Sequence, residues 1–134
     1  MILKDKLSGK QLMYCNVHLS GGETSKKQIK VMVDYLAGEF EENTVILTGD
    51  FNARHNSSCY RYLDSIMYDA YVTAEFNAAP IKYTAHDYGA LTNAHRIDWC
   101  FAKGDAKCRY DNTVTDDFDG YVSDHYAIIA EYEV

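Results

Sequence analysis

The sequence is poor in several features that would each indicate a particular class of protein. Pro80 is its single proline, so turns must depend on Gly, Asn, Asp and Ser. No apolar run reaches the ~18 residues of a membrane span, and the N-terminal segment MILKDKLSGK lacks the apolar stretch of a signal peptide. The sequence therefore predicts neither feature, which leaves the cytoplasm as the default location.

Cysteine and positive charge are also scarce. Four cysteines without CxxC spacing disfavour a disulfide scaffold or a zinc site and predict free, mostly buried thiols: Cys15, Cys59, Cys100 and Cys108. Thirteen Lys and Arg against 20 Asp and Glu give a net charge of −7, which disfavours generic binding to nucleic acids or anionic membranes. A polyanionic substrate would need a local basic patch or a metal ion.

The hydrophobic pattern predicts one α/β domain of 134 residues, 47% of them hydrophobic. Strands are predicted over 11–19, 44–49, 96–103 and 121–134, with a turn at 7–10 closing a hairpin with 1–6. One helix is predicted over 25–40, with Ser25 and Gln28 at capping-box spacing. A second helix is predicted over 57–67, with Tyr62, Leu63, Ile66 and Met67 inward. Residues 69–95 are expected to form short strands and a long loop, and 104–120 an acidic loop.

Polar residues that can carry chemistry stand near strand ends in four places. They are Asn16 with His18, Asp50 with Asn52, Asp98 within RIDW, and Ser123-Asp124-His125. Each place has an ordinary structural alternative: a solvated sheet face, a tight turn, a salt bridge from Asp98 to Arg96, or a solvated strand edge. Since ligands of open α/β sheets bind beyond the carboxyl ends of strands, the four together favour a site.

This set of residue types suits metal-assisted attack of water on a phosphate. Aspartate can accept a proton from the water, asparagine and histidine can donate to phosphate oxygens, and a second aspartate can orient a histidine. Oxygen-rich ligands suit Mg²⁺ or Mn²⁺ better than zinc. Spacing alone does not distinguish this chemistry from that of another Asp/His hydrolase.

The segments NVHL, ILTGDFNA, RIDW and SDHY, in this order, resemble the endonuclease/exonuclease/phosphatase superfamily with its deoxyribonuclease I-like fold. Its versions read roughly NTHL, GDFN, RIDY and SDHYP. SKKQ and NSSCY are weaker echoes of RxxQ and PxSxxY. The resemblance runs from about residue 11 to the end. It implies an α/β fold that is half of a four-layer sandwich, a mixed β-sheet with flanking helices.

The resemblance also implies roles for individual residues. His18 would contact the phosphate or act as general acid, Asp50 would orient or deprotonate the water, and Asn52 would stabilise the pentacoordinate phosphorus. Asp98 would pair with His125, the second catalytic histidine. The implied Mg²⁺ or Mn²⁺ ligands are Asp124, Asp50 and Asn52, with Asn16 in a supporting position.

Family members usually run to about twice this length, so residues 1–134 are expected to form a single domain that is the C-terminal half of the fold. The other half carries the family's principal Mg²⁺-binding Glu. The implied parent activity is Mg²⁺-dependent hydrolysis of a phosphoric ester, as phosphodiesterase, nuclease or phosphatase, impaired in this chain. The alternative is a non-catalytic remnant or interaction module. Expected partners are a phosphorylated substrate (nucleic acid, lipid head group or small phosphoester) and a second copy or a separate N-terminal half.

Overall fold

The chain folds into two β-sheets with helices packed on the larger one. The computed structural model describes residues 1–116 and 119–134. The strands are β1 Ile2–Lys4, β2 Gln11–His18, β3 Thr44–Asp50, β4 Tyr68–Asp69, β5 Phe76–Asn77, β6 Asp98–Lys103, β7 Lys107–Val114 and β8 Ala127–Glu133. The helices are α1 Glu23–Leu36, α2 Glu39–Glu42, α3 Ser58–Asp64 and α4 Ala70–Thr73. Within the described ranges, no helix is long and apolar enough to cross a membrane.

The strand order places the predicted strands side by side. The five-stranded sheet has the order β1-β2-β3-β6-β4, and the three-stranded sheet has the order β5-β7-β8. Strands β2 and β3 are parallel, because α1 crosses back between them, while β3 and β6 are antiparallel. The predicted hairpin is confirmed, since β1 pairs antiparallel with β2. The α/β fold class is confirmed with it.

Two apolar layers cover the two faces of the five-stranded sheet. Helices α1 and α3 pack on one face over a core that includes Phe51, Trp99 and Phe101, each with no exposed surface. Strands β7 and β8 pack on the other face against Ile46 and Cys100. Both faces of β3 and β6 are therefore covered within this chain.

The helix predictions need three corrections. Helix α1 begins at Glu23 after Gly22, so Ser25 is not its N-cap; the buried Ser25 hydroxyl instead donates to the Gly22 carbonyl at 2.7 Å. The helix ends at Leu36, and α2 follows as a separate turn. Tyr62 points outward, 40% exposed, because α3 turns only Cys59, Tyr60 and Leu63 towards the core.

The strand predictions near the C-terminus also need correction. Residues 107–114, predicted within an acidic loop, form β7, in which a register shift between Cys108 and Tyr110 lets Cys108 be buried along with Asp111 and Thr113. Residues 117 and 118 of that predicted loop lie outside the described residues. The last strand begins at Ala127 and not at 121, so SDHY lies in an irregular segment before it. The four cysteines are free, three of them buried, as predicted.

Candidate active site

Strand β3 carries Asp50 to the edge of the sheet beside β2. The parallel register sets Val17 opposite Gly49 and His18 opposite Asp50. Gly49 has φ +138°, and a Cβ there would lie 1.8 Å from the Val17 carbonyl oxygen. Glycine is therefore needed at this position, since only its bare backbone lets β2 and β3 approach closely next to the carboxylate.

Asp50 and Asn52 fold the end of β3 into a tight turn. Asp50 Oδ1 accepts from the Asn52 backbone N–H at 2.7 Å, and Asn52 has φ 47°. The Asn52 side-chain Nδ2 donates to the Leu19 carbonyl at 2.8 Å and to Asp50 Oδ2 at 3.2 Å. A tight turn and a functional site are therefore compatible interpretations of these residues, because the turn holds the Asp50 carboxylate in place. Because Nδ2 is engaged in these bonds, the amide oxygen of Asn52 is the atom of this side chain that could bind a cation.

Both polar side chains of β2 point to the same cleft as Asp50. His18 Nε2 lies 3.6 Å from Asp50 Oδ2, and the His18 side chain is 78% exposed. Asn16 Nδ2 donates to Thr48 Oγ1 on β3 at 2.8 Å. The cleft between the two sheets has a volume of about 630 Å³, and Asn16, His18, Asp50 and Asp98 all line it.

The Asp98–His125 pair joins the two sheets. Asp98 begins β6 in the larger sheet, and His125 precedes β8 in the smaller one. His125 Nδ1 lies 2.8 Å from Asp98 Oδ2, which confirms the predicted pairing. Burial raises the pKa of Asp98, and the nearby Asp50 carboxylate raises it further, while hydrogen bonding from Thr84 and the charge of His125 act against the shift.

Thr84 is a positioning residue that sequence reasoning missed. Its buried hydroxyl oxygen accepts from the backbone N–H groups of Ile97 and Asp98, both at 3.1 Å. Its carbonyl accepts from the Tyr126 N–H at 2.8 Å, next to His125. One residue therefore links both members of the pair. Residues 69–95 show little periodicity, so the sequence does not distinguish Thr84 from its neighbours. The one signal is that a β-branched residue stands where no strand is predicted.

The alternative partner considered for Asp98 is engaged elsewhere. Arg96 is buried and its Nη2 lies 2.7 Å from Asp69 Oδ2, with Asp69 1% exposed. The Tyr60 hydroxyl donates to the same carboxylate at 2.6 Å. Burial and the Asp69 carboxylate together raise the Tyr60 pKa well above its usual range, so the hydroxyl stays a donor. A salt bridge from Arg96 therefore holds α3 and β4 and does not account for Asp98.

The carboxylates of Asp50 and Asp98 face each other across β3 and β6 as direct register partners. Like charges in this position destabilise a sheet unless a cation or a proton intervenes. Asp50, Asp98 and His125 each offer a ligand atom within 4.8 Å of the others, so the donor set fits a divalent cation. Asp124 is not in this group: its carboxylate accepts from Ser123 Oγ at 3.4 Å on the exposed side of the segment.

Comparison with known proteins identifies the fold family. The family model described as "Endonuclease/Exonuclease/phosphatase family" matches residues 19–125. The chain belongs to this family. No curated protein matches the sequence significantly. The family is generally dependent on a divalent metal, which agrees with the oxygen-rich donor set.

Three solved structures illustrate the fold of this family. An endonuclease/exonuclease/phosphatase from Bacteroides vulgatus is 25% identical with TM-score 0.84, over 99% of this chain and 53% of its own. A mannosyl-6-phosphatase from Bacteroides thetaiotaomicron is 21% identical with TM-score 0.77, over 98% and 54%. TDP2 from D. rerio, complexed with a single-strand DNA product, is 19% identical with TM-score 0.74, over 99% and 60%. The chain thus spans little more than half the length of these family members.

Proposed function

We propose that this chain supplies the His18, Asp50, Asn52, Asp98 and His125 part of a divalent-metal-dependent phosphoester hydrolase. The observation that supports this most is the facing pair of carboxylates, Asp50 and Asp98, with a histidine beside each of them. His18, Asp50 and Asp98, from strands far apart in sequence, line one cleft, and His125 contacts Asp98 beside it. A solvated sheet face or an isolated tight turn does not require this arrangement.

The protein groups have complementary tasks in this reaction. A water molecule attacks the phosphorus and loses its proton to the Asp50 carboxylate, which the Asn52 turn holds in place. Charge increases on the phosphate oxygens as the water adds, and the bond from phosphorus to the ester oxygen then breaks with its electron pair going to the leaving oxygen, which takes a proton from solvent. His125 donates to one of those oxygens, and Asp98 keeps its ring oriented by binding Nδ1. His18, exposed in the cleft, contacts the phosphate from the other side.

A divalent cation fits between the carboxylates of Asp50 and Asp98, with the amide oxygen of Asn52 as a further ligand; Asp124, which the sequence suggests as a ligand, lies outside this group and is left out of the proposed site. When bound, it offsets the repulsion between these carboxylates and the charge of the phosphate. Mg²⁺ is the expected ion and Mn²⁺ its substitute, since the donors are mainly oxygen.

The activity of the whole fold requires a second half. The chain spans about half of the family members compared here. In addition, β8 pairs only with β7 among the described strands. Residues 1–134 alone should therefore bind Mg²⁺ weakly and hydrolyse esters slowly.

Substrate preference follows from charge. Neither lysine nor arginine lines the cleft that holds His18, Asp50 and Asp98, and the net charge is −7. A small phosphoester or a lipid head group is therefore favoured over a long nucleic-acid strand.

Mn²⁺ binding measured by electron paramagnetic resonance tests the cation site in the chain itself. We expect D50N to weaken binding at least tenfold, whereas D34N, which removes an exposed carboxylate on α1, should leave it unchanged. Equal affinity of D50N and wild type would contradict the proposal. An intact fold that binds no Mn²⁺ would favour the non-catalytic alternative.

Hydrolysis of 4-nitrophenyl phosphate and bis(4-nitrophenyl) phosphate, with Mg²⁺ against EDTA, tests the need for a second half. Static light scattering on the same samples reports the oligomeric state. Slow Mg²⁺-dependent turnover by a monomer agrees with the proposal. Turnover by a monomer at the rate of an intact family enzyme would refute it.

A further inference from the structure

A small cavity lies between the two sheets, next to the cleft, with which it shares Asp98, Cys100 and Ile128 as lining residues. It has about 10 Å³ open to the centre of a water-sized sphere. That is the room that one water molecule needs, roughly 10–15 Å³ on this measure. Its wall includes polar groups from both sheets, among them Arg96, Asp111 and Thr113.

Asp111 is a buried polar side chain on this wall, and its oxygens keep a little accessible surface, since no side-chain polar atom of the described residues is both sealed off and without a partner. It lies on β7, is 4% exposed, and no hydrogen bond or ion pair from the described residues reaches its carboxylate. Thr113, two residues along the same face of β7, is 3% exposed and its hydroxyl likewise has no partner among the described groups. Burial of a polar group without a hydrogen bond is unfavourable, and it is more so for a charged carboxylate than for a hydroxyl.

We propose that this cavity is a binding site for one ordered water molecule, which bonds the Asp111 carboxyl to the Thr113 hydroxyl and the Arg96 guanidinium. Buried waters typically make about three hydrogen bonds to groups of this kind. The donors and acceptors balance. The water donates to Asp111 and accepts from Arg96, and it can either donate to the Thr113 hydroxyl or accept from it.

The site sits where the two sheets meet. Asp111 pairs in register with Ala130 of β8, the strand that follows His125, whereas Arg96 precedes Asp98 on the other sheet. The water therefore bridges the sheet that carries His125 and the sheet that carries Asp98. Its role is structural. It fills the space between the two sheets, bonds their polar groups and so helps to set the distance between Asp98 and His125.

The water also leaves Asp111 able to hold a proton. Burial and the nearby Asp69 carboxylate raise the pKa of Asp111 to about 6, and Arg96 acts against them. The titratable or charged groups that share the cavity wall with Asp111 are Asp69, Tyr71, Arg96, Asp98 and Cys100. A carboxyl whose pKa rises on folding stabilises the protein at low pH, and this stabilisation is lost as pH rises through about 6.

Oxygen-17 relaxation dispersion of water, which counts long-lived internal water molecules, tests the site directly. D111L fills the cavity with an apolar side chain of similar size, so we expect its count to fall by one relative to wild type. D105L, which makes the same exchange at an exposed position, is the matched control and should keep the wild-type count. An unchanged count in folded D111L overturns the proposal.

D111N provides a second measurement should D111L fail to fold. The amide can still bond the water but cannot titrate. Relative to D111N, the unfolding equilibrium constant of the wild type should rise about 100-fold between pH 4 and pH 8, the factor that corresponds to a pKa moved from 3.8 to about 6. T113V, which removes the hydroxyl partner at nearly constant volume, should also lower the oxygen-17 count by one, and an unchanged count in folded T113V would overturn the proposal.

Discussion

Removal of the Arg96 guanidinium should destabilise the chain more than any change at a surface charge. R96M keeps much of the side-chain volume but leaves the Asp69 carboxylate, 1% exposed, without its cation. Breaking a buried ion pair from one side costs about 3–5 kcal/mol, because the remaining charge stays buried. The Tyr60 hydroxyl at 2.6 Å and the Tyr71 N–H at 3.1 Å still bond Asp69, which places the loss near 3 kcal/mol.

A second contact raises this figure. The Arg96 guanidinium carbon lies 4.6 Å from the Tyr71 ring centroid, and a desolvated cation–π contact of this kind contributes about 1–2 kcal/mol. The expected loss in the free energy of unfolding is therefore about 4 kcal/mol. R96M/D69N should recover part of it, since an uncharged amide can accept from the Tyr71 N–H through Oδ1 and donate to the Tyr60 hydroxyl through Nδ2.

Urea unfolding followed by the fluorescence of Trp99, the sole tryptophan, gives this free energy directly. R54M is the matched control, because Arg54 is exposed, and it should change stability by less than about 0.5 kcal/mol. A loss below about 1 kcal/mol in R96M would refute the reasoning, since it would show that Asp69 is neutral or solvated in the folded chain.

Three further outcomes follow from the site. G49A should lose about 3 kcal/mol of stability in the same assay, because its Cβ meets the Val17 carbonyl at 1.8 Å; a loss under about 1 kcal/mol would contradict the close approach of β2 and β3. T84V should raise the pKa of Asp98 further, measured by carbon-13 titration of the carboxyl, since a hydrogen bond that favours the anion is removed; an unchanged pKa would show that Thr84 does not act on Asp98. H18A should shift stability by less than about 0.5 kcal/mol, because His18 is 78% exposed, so a larger loss would give that residue a structural task.

The sequence was most informative where one periodicity governed a long segment. Strands β2 and β3 and helix α1 follow alternating, continuous or helical apolar patterns, and each lies within a few residues of its predicted position. The predicted meeting of Asp98 and His125 was also confirmed. In each case the side of the element that the apolar pattern marks as buried is also the side that packs in the folded chain.

Prediction failed where tertiary contacts outweigh local pattern. Strand β7 buries Asp111 and Thr113, so its inward face is polar and its sequence was taken for a loop. Thr84 acts through backbone N–H groups of a distant strand, and no local spacing encodes that. Ser25 had the spacing of a cap, yet the chain turns at Gly22 and places it inside the helix. The catalytic and metal-binding roles of the site residues stay predictions.

The stacked rings beneath the cleft tie the chemistry of this protein to its core. Phe51 follows Asp50 and Trp99 follows Asp98, and the two rings stack with centroids 4.6 Å apart, both without exposed surface. Each carboxylate is thus the outward neighbour of a ring that is fixed on the other side of the sheet. A designer who repacks these rings to stabilise the protein will also move the two carboxylates, so the position of the carboxylates and the core volume cannot be optimised independently at this point of the chain.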